Sequence, residues 1–289
     1  MEEITSYQNQ KIKRLVLLGS RAKERRKAQS FVIEGIRLFL DTPDAYLDEV
    51  YVMVSLYDEL TRAVRGRNCG DQNGQNGRTL QETAGILDRL ARHETYLVRD
   101  DVFKKAADTS TPQGIMALVR EPSWTFADVL GKTTGVPPLI LITEDVQDPG
   151  NLGTMFRTAE AAGATGIIMT RGTVDLFHPK TVRATMSAIF RVPFCVTDNL
   201  PQTLEELQAE GVRVFAAYLG GVHDYDACDY RNGTAFLIGN EGNGLRSETA
   251  AAADEKILIP MEGEIESLNA AMSAGILMYE AHRQRMRRG

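Results

Sequence analysis

Residues 139–163 read LILITEDVQDPGNLGTMFRTAEAAG, and the class of the fold follows from this stretch. It opens with an apolar run too continuous for a half-exposed sheet, as expected of a strand buried on both faces. Asp148, Pro149 and Gly150 then make a turn, and a helix begins near Asn151. Leu152, Met155, Phe156 and Ala159 fall at i, i+3, i+4 and i+7 and give that helix its buried face. Arg157 lies off the stripe and points toward solvent or a cleft. Functional groups gather beyond the carboxyl ends of such strands. A plainer reading competes: an ordinary strand–loop–helix, with Asn151 as a cap and Arg157 as a surface charge. Spacing alone leans toward the plainer one.

The alternation continues to the C-terminus. Strands GIIMT (166–170), PFCV (193–196), RVFAAYL (213–219), AFLIG (235–239) and KILIP (256–260) are interleaved with helices. The helices fall around Arg183 to Ile189, at LEELQAEG (204–211) and in a long final segment. Together they predict an α/β domain with a parallel sheet covered on both faces. The first half repeats the alternation on a smaller scale, in FVIEGIRLFLD (31–41), EVYVMV (49–54), TYLVRDDVFKKAAD (95–108) and GIMALV (114–119). Residues 121–138, EPSWTFADVLGKTTGVPP, carry Pro and Gly punctuation and read as a linker. The expected division is an N-terminal domain over 1–120, a linker over 121–137 and a second domain over 138–289. NCGDQNGQNG (68–77) reads as a surface loop.

Composition excludes several classes. With 43% hydrophobic and 25% charged residues over 289 positions, the chain has material for an ordinary globular core. The net charge of −6 argues weakly against nonspecific nucleic-acid binding, although a net value hides patches. One such patch runs from Lys11 to Lys27. Its eight basic residues include Lys23, Arg25 and Arg26 and face a single acid, Glu24. Ile12, Leu15, Val16 and Leu18 make this run a basic amphipathic helix, suited either to RNA or to plain solvation. Three scattered cysteines imply neither a disulfide framework nor a zinc site. No signal core or membrane span is read, so a cytoplasmic protein is expected. GKTT (131–134) has Phe126 where a phosphate loop needs its first glycine, and no GxGxxG occurs. The four histidines are isolated and no metal is expected.

Two further stretches carry chemistry. In FLIGNEGNGL (236–245) an apolar strand opens into Gly239, Gly242 and Gly244, interleaved with Asn240, Glu241 and Asn243. Glycines let a backbone approach a ligand closely; a tight turn with a helix cap is the alternative. In ILIPMEGEIESLNAAMSAGILMYEA (257–281) a strand ends at Pro260. A polar loop leads to Ser267, read as an N-cap, before a helix rich in small residues.

Together the three stretches resemble the three motifs of the SpoU/TrmH family, within the SPOUT class of methyltransferases. The matching residues are Asn151 and Arg157; Gly239 to Gly242 with Gly244 and Leu245; and Ile259, Pro260 and Met261 with Ser267, Leu268 and Asn269. Residues 183–194, RATMSAIFRVPF, are similar to a further family segment. The resemblance covers about 138–286. A weaker one likens the first half to a substrate-binding domain built like a small RNA-binding ribosomal protein.

The resemblance implies a parallel α/β domain with a C-terminal trefoil knot, a rarity among folds, and a homodimer. It implies methyl transfer from S-adenosylmethionine to a ribose 2′-hydroxyl of RNA, with ribosomal RNA favoured over transfer RNA. The implied cofactor site is Leu219, Gly220, Ile238, Gly239, Asn240, Gly242, Ile259, Pro260, Met261, Ser267 and Leu268. The implied catalytic group is Asn151, Arg157, Glu241, Ser267 and Asn269. RNA contacts are expected from Lys23, Arg25, Arg26, Arg37 and Arg183. The family casts Arg157 as a base, an awkward role for a guanidinium; an anchor for phosphate is the alternative. A transfer-RNA enzyme and a noncatalytic RNA-binding or ribosome-assembly protein are the rival functions.

Overall fold

The computed structural model describes residues 1–65, 78–133 and 135–286, so the loop read at 68–77 lies outside the described residues. The chain forms two compact units, Met1–Pro122 with Phe177–Pro179, and Ser123–Leu176 with Lys180–Gly289.

The first unit contains β1 (Glu2–Ile4), α1 (Gln10–Ser20), α2 (Ala22–Ala28), β2 (Ser30–Glu34), α3 (Ile36–Asp41) and β3 (Leu47–Met53). It continues through α4 (Val54–Arg65), α5 (Leu80–Arg92), β4 (Glu94–Val98), α6 (Asp100–Ala106) and β5 (Ile115–Arg120). Its five strands lie in the order β1-β4-β3-β5-β2, with β5 antiparallel to both neighbours. Phe31, Ile33, Val50, Val52, Ile86 and Phe103 fill the core. The basic run is two helices rather than one, because Arg21 adopts an extended conformation (φ −126°) between α1 and α2. This break turns Arg25 inward. Its guanidinium donates to the carbonyls of Leu18 (2.6 Å) and Gly19 (3.1 Å), which lack helical partners at the end of α1. Arg25 is 2% exposed and braces the α1–α2 corner, so it is withdrawn as an RNA contact.

The second unit opens with α7 (Phe126–Val129), where a linker was expected. Thr125 and Asp128 cap this turn reciprocally, and Val129 and Leu130 enter the core beside Ile140, Ile168 and Val214. The apolar spacing at 126, 129 and 130 is helical, and its burial makes the segment part of the unit. Next come β6 (Leu139–Thr143), α8 (Pro149–Ala162), β7 (Gly166–Thr170), α9 (Pro179–Ala184), β8 (Phe194–Thr197), α10 (Leu200–Ala209) and β9 (Arg213–Ala217). The chain then forms β10 (His223–Asp224), β11 (Thr234–Ile238), α11 (Ser247–Ala252), β12 (Glu255–Leu258) and α12 (Ala270–Met286). The helix expected through Ile189 stops at Ala184, because Met186 and Ser187 take positive φ (49° and 71°).

All seven strands run parallel, in the order β10-β12-β9-β11-β6-β7-β8. From β6 the chain steps outward through β7 to β8, then crosses to build the other side. Adjacent strands β6 and β11 therefore send their following loops to the same carboxyl edge in different directions. That is the topological switch point where open parallel sheets bind ligands.

Candidate active site

The loop after β11 is held by its own backbone. Asn240 N–H donates to the Gly244 carbonyl (3.1 Å) and Gly244 N–H donates back (2.9 Å). A side chain at Gly239 has no room: a Cβ there would lie 2.2 Å from the Gly244 carbonyl carbon. The Asn240 side chain accepts from the N–H groups of Gly242 (2.9 Å) and Asn243 (3.0 Å) and donates to the Asp145 carbonyl (2.8 Å). This pins the loop to the end of β6. On its far side, the Arg246 N–H donates to buried Glu144 (2.9 Å), while its guanidinium pairs with Asp145.

Glu241 turns from this loop toward the start of α8. Its carboxylate accepts from the backbone N–H of Gln147 (2.9 Å) and Asp148 (3.0 Å) and from the Asn151 side chain (3.0 Å). Partial burial would raise its pKa, but the Asn151 bond and those two N–H donors outweigh it and hold the carboxyl below the usual glutamate range. The cap of α8 is Asp148, which accepts from Asn151 N–H (2.8 Å). Asn151 itself is left to bridge: its side-chain oxygen accepts from the Asn269 amide (2.9 Å). Asn269 in turn accepts from the N–H groups of Ala271 (3.0 Å) and Met272 (3.3 Å) and so caps α12. Sequence reading gave the cap to Ser267, which is exposed two residues earlier. Glu241, Asn151 and Asn269 thus join the three motifs through side chains 90 and 118 residues apart.

Beside this chain of hydrogen bonds lies a cleft of about 650 Å³, walled by the loops after β9, β11 and β12 and the start of α12. Ten of the expected cofactor residues line it: Leu219, Gly220, Ile238, Gly239, Asn240, Gly242, Ile259, Met261, Ser267 and Leu268. Glu241 lines it as well, whereas Pro260 does not. Sequence reading missed Tyr218, Glu266, Ala270 and Ser273 in the wall, and the Glu144–Asp145–Arg246 clamp behind it. Glu266 lies within the stretch 257–281, but nothing in its spacing marks it as facing a cavity. Arg157 and Asn151 lie outside the lining. Six residues along α8 turn Arg157 about 120° away from Asn151. Arg157 is exposed and has no hydrogen-bond or ion-pair partner among the described residues. Of the expected RNA contacts, Lys23 and Arg26 are exposed on α2, Arg37 is exposed beside Asp41 (2.9 Å), and Arg183 is half-buried on α9. Among the described residues, no cluster of acids, histidines and cysteines could hold a metal ion, and no helix is long and apolar enough to cross a membrane.

The cleft fits S-adenosylmethionine. Leu219, Ile238, Ile259, Met261 and Leu268 offer apolar walls for a flat base. Gly239, Gly242 and Gly244 expose backbone for polar contacts, and only glycine fits the closed turn at 239. Fold and site define an S-adenosylmethionine-dependent RNA 2′-O-ribose methyltransferase. The chain belongs to the SpoU rRNA Methylase family, whose model matches residues 138–279, and an MRM3-like substrate binding domain matches residues 9–117. It is 33% identical to the 23S rRNA (guanosine(2553)-2′-O)-methyltransferase RlmP of Bacillus subtilis, over 96% of this chain and 98% of that protein. It is 30% identical to the 23S rRNA (guanosine-2′-O-)-methyltransferase RlmB of Neisseria meningitidis, over 73% and 86%. The solved AdoMet-bound rRNA methyltransferase of Sinorhizobium meliloti superposes with a TM-score of 0.77 at 30% identity, covering 98% of this chain and 97% of that one.

Proposed function

We propose that this protein methylates the 2′-hydroxyl of a guanosine in 23S rRNA and works as a homodimer. The observation that carries the reading is the Glu241–Asn151–Asn269 chain, which fixes the three motifs beside a cleft of donor size. Guanosine in 23S rRNA is the target named for the Bacillus subtilis relative, which this chain matches over 98% of that protein's length. S-adenosylmethionine, when bound, would supply the methyl group: its sulfonium–carbon bond would break as the bond to the 2′-oxygen forms, leaving the neutral thioether S-adenosylhomocysteine, and the hydroxyl proton would pass to solvent water.

The protein's share is alignment and charge. Well-oriented reactants gain on the order of 7–11 kcal/mol over free encounter. The loops after β9, β11 and β12 hold the donor. Glu241, engaged by three N–H donors, is a positioning residue that fixes the entry to α8. Ser267 offers an exposed hydroxyl in the cleft wall for orienting the ribose. Arg157, exposed on α8 and without a partner among the described residues, grips the phosphate beside the target. Lys23, Arg26, Arg37 and Arg183 hold RNA phosphates.

The homodimer draws support from α12. Met272, Tyr279 and Met286 recur every seven residues on it and are exposed at 60%, 48% and 70%, an apolar stripe suited to a partner helix. The knot draws support from the sheet order. β12 lies beyond β9, yet the following α12 returns to pack on β11, β6 and α8.

The test is incubation of the purified protein with labelled S-adenosylmethionine and unmodified 23S rRNA or transfer RNA, followed by digestion to nucleosides. Label in 2′-O-methylguanosine from 23S rRNA is expected. Label on a base, or on transfer RNA alone, refutes the reading. Arg157→Ala is expected to bind donor and fail to transfer; near-normal turnover would remove Arg157 from its role.

A further inference from the structure

The ionisable carboxylates in the donor cleft have no basic counterpart among the described residues. Glu241 and Glu266 line it, and no described Lys, Arg or His does. Two cations next to wall residues along the chain are engaged elsewhere. Arg246 pairs with Glu144 and Asp145, and the Lys256 ammonium lies over the Tyr218 ring, 5.8 Å from its centroid. Glu241 has its acceptors occupied by Gln147, Asp148 and Asn151, so its charge is fixed in place. Glu266 differs: it is exposed in the wall and has no hydrogen-bond or ion-pair partner among the described residues. It ends the segment Glu262-Gly-Glu-Ile-Glu266, whose other two carboxylates are exposed and add to the same negative field.

The two ligands that must pass through this cleft differ by one unit of charge. S-adenosylmethionine carries a sulfonium, an ammonium and a carboxylate, for a net charge of +1. Loss of the methyl leaves a neutral thioether and a net charge of zero. On charge alone, a wall with carboxylates and no cation favours the first over the second.

We propose that Glu266 is a specificity residue that makes the cleft discriminate by charge, favouring the sulfonium donor over its demethylated product, so that transfer itself loosens the hold on the product. This rests on the methyltransferase reading above. It predicts a preference that weakens with salt, because the wall is open to water. A single partly solvated carboxylate contributes about two- to fivefold in affinity for a unit cation.

The experiment is calorimetric titration of the full-length protein and of Glu266→Gln with S-adenosylmethionine and S-adenosylhomocysteine, at low and high salt. A third ligand is an analogue bearing an amine in place of the sulfonium. The expected result is that Glu266→Gln weakens the donor by about two- to fivefold and leaves S-adenosylhomocysteine nearly unchanged. The amine analogue should follow the donor, and the wild-type preference should shrink in high salt. A Gln variant that weakens all three ligands equally has lost loop structure rather than charge recognition, and that overturns the proposal. So does an unchanged ratio of donor to product. Failure of the wild-type protein to bind any of the three overturns the methyltransferase reading as well, which separates the two ideas.

Discussion

Replacing Gly239 by alanine tests how the donor loop is built. The added Cβ would lie 2.2 Å from the Gly244 carbonyl carbon, 2.3 Å from the Leu245 nitrogen and 2.4 Å from the Gly244 oxygen. All three are backbone atoms, so no side-chain rotation relieves the clash. Nonbonded carbons settle about 3.5 Å apart, so the turn must open by roughly 1 Å. That breaks the paired Asn240–Gly244 hydrogen bonds and carries Asn240 and Glu241 off their partners. Overpacking costs about 1–3 kcal/mol, and a displacement of about 1 Å in a positioned site costs on the order of 100-fold in function. The assays are donor titration by calorimetry and the urea unfolding midpoint. The control is Gly242→Ala in the same loop, whose Cβ would meet only the Asn240 side-chain oxygen, at 3.5 Å. That variant is expected to shift stability by less than about 0.5 kcal/mol. If Gly239→Ala bound donor within about threefold of wild type, or Gly242→Ala unfolded as early as Gly239→Ala, the steric reasoning would be refuted.

Asn151→Ala removes the bridge between Glu241 and Asn269, two hydrogen bonds of about 1 kcal/mol each, and should lower kcat/KM by about ten- to thirtyfold. Asn269→Ala should do about as much, and the double variant little more; additive losses would mean that the residues act separately. Lys23→Ala with Arg26→Ala should flatten the logarithmic salt dependence of RNA binding, its slope falling by up to about 0.9 for each phosphate left without its cation. Arg25→Ala should instead lower the unfolding midpoint with an unchanged salt slope, and the opposite pattern would restore Arg25 as an RNA-binding residue. Glu241 has a lowered folded-state pKa, so its contribution is present above the ordinary glutamate value of 4.5 and is lost as pH falls through the lower folded value. Glu241→Gln should therefore be less stable than wild type at neutral pH, and the gap should close in acid. A gap that widened in acid would reverse the assigned sign.

Much of the second unit was legible because its information is local. The apolar run at 139–143, the i, i+3, i+4 face of α8 and the glycine-rich exit from β11 each need only a few neighbouring residues to be read. Where reading failed, a competing local signal was present. Pro and Gly around 121–138 masked the helical spacing of Phe126, Val129 and Leu130, whose burial joins α7 to the core. Ser267 looked like the better cap, but Asn269 reaches the first N–H groups of α12. Eight basic residues between Lys11 and Lys27 read as one amphipathic helix, but Arg21 breaks it and turns Arg25 inward.

The parallel α/β class, the three loops that carry chemistry and the residues that make them are written along the chain, because propensity, periodicity and glycine placement act within a few positions. Packing in three dimensions was needed to establish that Asn151 bridges Glu241 and Asn269, that Glu266 faces the cleft with no partner among the described residues, and that Arg157 lies outside the cleft wall. Those facts depend on which strands lie side by side. The adjacency of β6 and β11, and the return of α12 across them, brings together atoms that spacing along the chain leaves about a hundred residues apart.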